Sequence, residues 1–245
     1  MQFGESKMAK LSLSVVIPAY NEEKRIGKTL RKIISYLDKK KHDYEIIVVD
    51  DNSKDKTVNV VKFMKNKRLR VLKNPRNLGK GGAVKNGMLA AKRKYVLFSD
   101  ADLSTPIEEI EKFEKFKDKY DVIIGSRALK ESDIKIKQPF YRILMGKIFN
   151  LMVNILVVWG IKDTQCGFKW FRKDVVKKVF PKQTFNGFSF DVELLFIVDK
   201  YGYSIKEIPV TWMNSPDSKV SAVKDSIKMF IDLVRIRLNN LRGKY

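Results

Sequence analysis

Tyr95-Val96-Leu97-Phe98-Ser99-Asp100-Ala101-Asp102 is an apolar run that stops at two carboxylates one residue apart. A run without polar alternation reads as a strand covered on both faces. The same pattern recurs on either side of it. Residues 13–17 end at Pro18, residues 44–49 end at Asp50 and Asp51, and residues 69–73 form another short run. Residues 122–124 end at Gly125-Ser126-Arg127, and residues 205–210 give a last short strand. Between the runs, apolar residues recur at helical spacing. Residues 22–37 align Ile26, Leu30, Ile33, Ile34 and Leu37, and residues 55–65 align Val58, Val61 and Met64. Residues 81–92 and 106–116 continue the series. In the last of these, Thr105 is the expected cap, with Pro106 at the first helical position. Strand and helix in alternation predict an α/β fold with a mostly parallel, Rossmann-like sheet covered by helices.

In such a sheet, ligands bind beyond the carboxyl ends of the strands. Four polar clusters sit there: Pro18-Ala19-Tyr20-Asn21-Glu22, Asp50-Asp51-Asn52-Ser53, Asp100-Ala101-Asp102 and Gly125-Ser126-Arg127. Their convergence predicts one cleft. Asp100 and Asp102 suit a hard divalent cation, Mg²⁺ or Mn²⁺, which shares its ligands with substrate phosphates. Asp50 or Asp51 is expected to accept hydrogen bonds from a ribose or base, with Tyr20 and Glu22 beside the base. Asn77-Leu78-Gly79-Lys80-Gly81-Gly82 is a glycine-rich turn before a helix, able to offer N–H groups to a phosphate. It lacks the spacing of a P-loop.

Composition narrows the chemistry. With Lys and Arg at 50 against 28 Asp and Glu, the net charge of +22 favours an anionic partner. No zinc finger or aromatic RNA-binding pattern accompanies it, so nucleic acid is not the expected partner. A lone cysteine, Cys166, and a lone histidine, His42, exclude a disulfide framework and argue against zinc sites and Ser-His or Cys-His nucleophiles. Residues 1–10 are mixed and polar and do not read as a signal peptide. The apolar part of residues 143–161 is too short to span ~30 Å of hydrocarbon. Residues 128–140 read as loop and residues 141–159 as an amphipathic helix. The tail from Ser218 places Val220, Val223, Ile227, Phe230, Ile231, Val234 and Leu238 at spacings of three and four, with Lys224, Lys228, Arg235 and Arg237 opposite.

The motifs from Val15 to Glu22, Ile47 to Ser53, Asn77 to Gly81 and Asp100 to Asp102 together resemble glycosyltransferase family 2, with its GT-A fold. The strings Asp163-Thr164-Gln165-Cys166-Gly167-Phe168-Lys169 and Phe190-Asp191-Val192-Glu193-Leu194-Leu195 are similar to the branch that glucosylates dolichyl phosphate. They are more distantly similar to the branch that mannosylates it. Mannose-transferring members tend to carry Gln at the position of Ser104, so the resemblance implies glucose. The glucosyl branch carries Gly before Ser-Lys in its C-terminal loop, where this chain has Pro216-Asp217-Ser218-Lys219.

The resemblance implies an inverting hexosyltransferase that uses a nucleoside-diphosphate sugar and a polyprenyl or dolichyl phosphate. Pro18, Ala19, Tyr20, Glu22, Asp50, Asp51, Lys80, Asp100, Ala101 and Asp102 are expected around the donor, with Asp100 and Asp102 on the metal. Arg127, Arg142 and Lys219 are expected to face the acceptor phosphate. Asp102, Asp163 and Arg127 are the expected catalytic set, with Asp191 and Glu193 as alternatives to Asp163. A lipid acceptor implies a peripheral enzyme at the cytoplasmic face of a membrane. Residues 1–215 are expected to form the catalytic domain, including an interfacial helix at 141–160, and 216–245 a basic amphipathic helix. The apolar faces of these helices also suit a homo-oligomer.

Overall fold

The computed structural model describes residues 10–136, 139–214 and 222–245, without the side chains of residues 142 and 222–227. Its centre is a seven-stranded sheet. The strands are β1 (Ser12–Ala19), β2 (Asp43–Asp50), β3 (Leu69–Lys73), β4 (Tyr95–Ser99), β5 (Val122–Ser126), β7 (Phe168–Arg172) and β8 (Ile205–Pro209), in the order β3-β2-β1-β4-β7-β5-β8. The β1, β2, β3 and β4 pairings are parallel, as is β5 with β8, while β7 runs antiparallel to both β4 and β5. A separate pair joins β6 (Asp133–Ile136) to β9 (Thr211–Met213).

The inner strands β1, β2, β4, β5 and β7 bury both faces, which is why their cores read as apolar runs, whereas the edge strands β3 and β8 are part-buried. Val16, Ile47, Val96, Phe98, Ile124 and Phe171 face one core. Val15, Ile17, Ile46, Leu97, Ile123 and Trp170 alternate with them and face the other. Helices α1 (Ile26–Lys39) and α4 (Ile110–Glu114) add residues to the second core. Helices α3 (Lys80–Ala90), α6 (Lys173–Val179) and α7 (Phe190–Lys200) add residues to the first. Helix α2 (Thr57–Phe63) lies between β2 and β3 in the chain.

Helices α5 (Phe140–Leu156) and α8 (Ala222–Leu241) each have one apolar face in the first core, through Phe149 and Val153 and through Met229, Leu233 and Ile236. Of the expected stripe, Val220 lies outside the described residues, as do the side chains of Val223 and Ile227, and the remaining four residues lie on the other side of α8. Phe230, Ile231, Val234 and Leu238 are 42–46% exposed, so this helix is apolar on two sides. On α5, Phe140, Leu144, Ile148, Leu151 and Ile155 are exposed at spacings of four and three, and Trp159 beyond the helix is 83% exposed. No helix among the described residues is long and apolar enough to cross a membrane.

Several boundaries differ from expectation. The expected 128–140 loop contains β6, short and largely exposed, so it lacks the apolar signature of a core strand. The expected 106–116 helix opens with a 3₁₀ turn at Ile107–Glu109 and has Pro106 just outside it. Thr105 is buried with its hydroxyl 3.9 Å from the Cys166 sulfur and does not cap that turn. Helix α7 starts only at Phe190, because residues 184–186 pack on the glycine-rich turn.

Candidate active site

The antiparallel strand assembles the site. Phe168 pairs with Ser99, so the segment entering β7 arrives at the edge where β4 ends. Lys169 pairs with Ile124, so the end of β5 lies at that same edge. All four clusters from the strand ends, together with residues 163–167, therefore share one rim.

On the donor side, Asp100 and Asp102 are part-exposed, with side-chain exposures of 30% and 20%. The N–H of Asp100 donates to Gly167 O at 3.1 Å, and Asp102 Oδ1 accepts from the Ser104 N–H at 2.9 Å. Leu103, which follows Asp102, adopts φ 50°, and the Ala101 carbonyl accepts from Thr29 Oγ1 at 2.6 Å, so the turn is fixed at its backbone. Lys80 Nζ lies 2.8 Å from Asp100 Oδ1, and an Arg25 nitrogen lies 3.9 Å from Asp102 Oδ2. Burial disfavours charge on Lys80, but Asp100 and Asp191 outweigh it and hold the ammonium above its ordinary pKa.

Among the described residues, no group of three or more His, Cys, Asp or Glu forms a metal cage. Two carboxylates at a strand end do fit Mg²⁺ or Mn²⁺ that takes its remaining ligands from phosphates and water. The ammonium on Asp100 shows that this carboxylate already attracts a cation.

The predicted nucleotide residues divide by role. Tyr20 stands half-exposed at the rim, and Glu22 is buried against the Arg25 guanidinium. Ala19 is buried, and its carbonyl accepts from the Asp51 N–H at 2.8 Å, while Pro18 stays within β1 opposite Val49. Asp50 accepts from the Ser53 N–H at 3.2 Å. Asp51 faces inward: it accepts from Asn74 Nδ2 at 2.7 Å and from the N–H groups of Leu78 and Gly79 at 2.9 and 2.8 Å. Its carboxylate therefore organises the glycine-rich turn.

That turn differs from a phosphate cradle. The Gly81 and Gly82 N–H groups donate to Asn186 O at 2.8 and 3.3 Å, and those of Leu78 and Gly79 are held by Asp51. The glycines serve close packing. A Cβ on Gly81 would lie 2.6 Å from Phe190 Cβ, and Gly79 has φ +89° beside Asn186 O. Lys80 remains as the group this turn sends to the rim.

On the other side, Arg127 and Asp163 form one unit. The guanidinium Nε and Nη2 donate to the two carboxylate oxygens at 2.7 and 2.8 Å, and the Arg127 backbone N–H adds a third bond at 2.8 Å. The Gln165 N–H adds a fourth at 3.2 Å. Burial alone would raise the Asp163 pKa, but the Arg127 guanidinium outweighs it and holds the carboxyl below its usual range. Asp163 is therefore an anion that orients Arg127, whose guanidinium also lies over the Trp212 ring at 5.4 Å. Arg142 belongs to the first turn of α5, and Lys219 lies outside the described residues.

Three further residues bear on the site without having been assigned a role in it. Lys169 is fully buried and donates to Asp191 at 2.5 Å and to Cys166 O at 2.6 Å, beneath the carboxylate rim. A lysine between Phe168 and Trp170 in an apolar strand was the available signal. Arg25, next to Glu22, carried no such signal. Gly167 leaves room for Asp100, because a Cβ there would fall 1.9 Å from Oδ2. Of the alternatives to Asp163, burial raises the Asp191 pKa despite the Lys169 and Lys80 charges nearby. Glu193 accepts from Thr184, the Phe185 N–H and Tyr245 and so secures the 184–186 loop.

A sheet with one reversed strand, and part-exposed paired aspartates at the end of its central parallel strand, is the arrangement of the GT-A fold. The glycosyl transferase family 2 model matches residues 14–180, and the chain belongs to that family. Relatives include the dolichyl-phosphate β-glucosyltransferase of Dictyostelium discoideum, 39% identical over 94% of this chain and 75% of the relative. The human enzyme of that name is 37% identical over 95% of this chain and 77% of its own. In fold, the chain resembles mannosyl-3-phosphoglycerate synthase from Rubrobacter xylanophilus, with TM-score 0.68, 18% identity and coverage of 96% and 75%. It also resembles Mycobacterium tuberculosis glucosyl-3-phosphoglycerate synthase in complex with Mn²⁺, UDP and phosphoglyceric acid, with TM-score 0.67, 18% identity and coverage of 94% and 78%.

Proposed function

We propose that this glycosyltransferase moves glucose, with inversion, from UDP-glucose to dolichyl or another polyprenyl phosphate, for glycan assembly or protein glycosylation. The observation that carries the reading is the juxtaposition on one rim of the part-exposed Asp100 and Asp102 with the oriented Arg127. One side suits a metal-bound diphosphate and the other an anionic acceptor. The names of the relatives supply the sugar and the lipid.

Asp100 and Asp102 would hold Mg²⁺ or Mn²⁺, which supplies Lewis acidity to the departing diphosphate. Tyr20, Glu22 and Asp50 line the nucleotide end, and Lys80 offers its charge to a phosphate. Arg127, held in plane by Asp163, presents a guanidinium to the acceptor phosphate; Arg142 and Lys219 would add charge there. A phosphate monoester has a second pKa of ~6 and is largely dianionic near pH 7. It needs alignment and shielding from the donor's charge more than it needs a base. Asp163, already paired and ionised, fits that requirement as a positioning residue.

The exposed apolar stripe of α5, with Trp159 and the outer face of α8, is where the protein would meet the lipid. An amphipathic helix lies in the interface with its apolar side down, and each nearby Lys or Arg adds ~1 kcal/mol on an anionic leaflet. The protein would then be peripheral, at the cytoplasmic face.

A donor panel of UDP-glucose, GDP-mannose and UDP-GlcNAc with polyprenyl phosphate, read by product mass, tests the reading. The expected product is glucosyl phosphoryl polyprenol, dependent on a divalent ion. Mannosyl or GlcNAc product would replace the donor assignment, and no product from any donor would remove the acceptor assignment.

A further inference from the structure

Lys80 is the first residue of α3, and its backbone is fixed because the neighbouring N–H groups are held by Asp51 and Asn186. Its side chain crosses to the carboxylate rim, where Nζ sits 2.8 Å from Asp100 Oδ1 and 5.4 Å from the centre of the Phe98 ring. Beneath it, Lys169 Nζ lies 6.0 Å from the same ring and is bound to Asp191. Negative and positive groups thus alternate along Asp100, Lys80, Asp191 and Lys169. A divalent ion that takes Asp100 as a ligand meets an ammonium already on that carboxylate. Two cations at such separations repel strongly where water is scarce.

We propose that Lys80 is a resident counter-ion that occupies the metal's place on Asp100 in the donor-free protein. A divalent ion displaces it effectively only when it arrives with a nucleoside diphosphate, whose phosphate oxygens accept the released ammonium. The inference rests on the proposed function and assigns the site its order of assembly. Metal alone binds weakly, and metal and diphosphate bind cooperatively, each raising the affinity of the other by the same factor. The flexible stem of lysine, on a helix whose start is pinned, suits a side chain that keeps its base while its head changes partner.

The test is Mn²⁺ binding to the full chain, read from the electron paramagnetic resonance of free Mn²⁺, with and without UDP. Lys80→Gln is expected to bind Mn²⁺ alone about tenfold more tightly than the native protein and to lose most of the gain that UDP confers. Lys80→Arg keeps the charge and should keep the weak metal binding. Lys85→Gln is the control for simple charge removal: Lys85 donates to Pro181 and Gln183 carbonyls, away from Asp100, and its loss should leave Mn²⁺ affinity within about twofold. Unchanged or weaker Mn²⁺ binding by a folded Lys80→Gln, with the native protein still binding Mn²⁺ in the presence of UDP, overturns the counter-ion role alone. Native protein that binds no Mn²⁺ even with UDP overturns both this role and the metal assignment beneath it.

Discussion

On the β1–β4 side of the rim, Asp100 and Asp102 stay part-exposed, and each faces one long, flexible cationic side chain. On the β5 side, Asp163 is buried and accepts from Arg127 at three points and from the Gln165 N–H. The first arrangement leaves carboxylate oxygens available to an incoming ion. The second uses up a carboxylate in order to aim a guanidinium. One rim can therefore receive a metal-bound diphosphate and a second anion without bringing two bare negative charges together. The contrast assigns different work to chemically identical groups, and substitutions on the two sides should fail differently.

Asp102→Ala strikes the open side and should have the largest effect. Transfer is expected to fall by about 10³-fold or more, because both metal ligation and diphosphate stabilisation are lost. Asp102 is surface-accessible and bonds one N–H, so thermal unfolding should shift little. A folded Asp102→Ala protein with native turnover would place the metal elsewhere. Gly167→Ala comes next and tests the seam between the two sides. The new Cβ would collide with Asp100, which must swing away. The expected outcome is about 10²-fold weaker Mn²⁺-UDP binding, measured by calorimetry, because a misplacement near 1 Å costs that much. Native Mn²⁺-UDP affinity in this variant would show that Asp100 does not hold the donor.

The two sides were also unequally legible in the sequence. Strands β1, β2 and β4 announce themselves because both their faces are buried, so no solvent-facing residue interrupts the apolar run. Their terminal carboxylates follow directly. The pairing of Arg127 with Asp163 spans 36 residues and exists only because β7 runs back between β4 and β5, which local periodicity does not encode. Asp51 and the glycine-rich turn look like ligand groups in sequence because side-chain direction is invisible there. In the structure they bind each other and residue 186. Helix α8 has apolar residues at helical spacing on two sides, and the pattern alone does not say which side meets the core. The positions of Met229, Leu233 and Ile236 over the sheet decide it.

Asp163→Asn sharpens the comparison on the closed side and should have the smallest kinetic effect. Asparagine keeps the shape but weakens the grip on Arg127, so the KM for polyprenyl phosphate should rise about tenfold, with a smaller fall in kcat and donor affinity unchanged. Stability should drop by about 2 kcal/mol in urea, because a largely buried guanidinium loses its partner charge. The pH dependence separates orientation from base catalysis. The folded-state pKa of Asp163 is depressed, so the pair's contribution is fully present above the ordinary carboxyl value of about 3.9. It is lost only as pH falls through the lower folded value. Between pH 5.5 and 8, Asp163 should therefore impose no limb on the rate. The acidic limb near the acceptor's second pKa of ~6 should survive in Asp163→Asn, since it belongs to the phosphate. A limb that vanishes with the substitution, together with a collapse in kcat at unchanged KM, would make Asp163 the base and erase the division between the two sides.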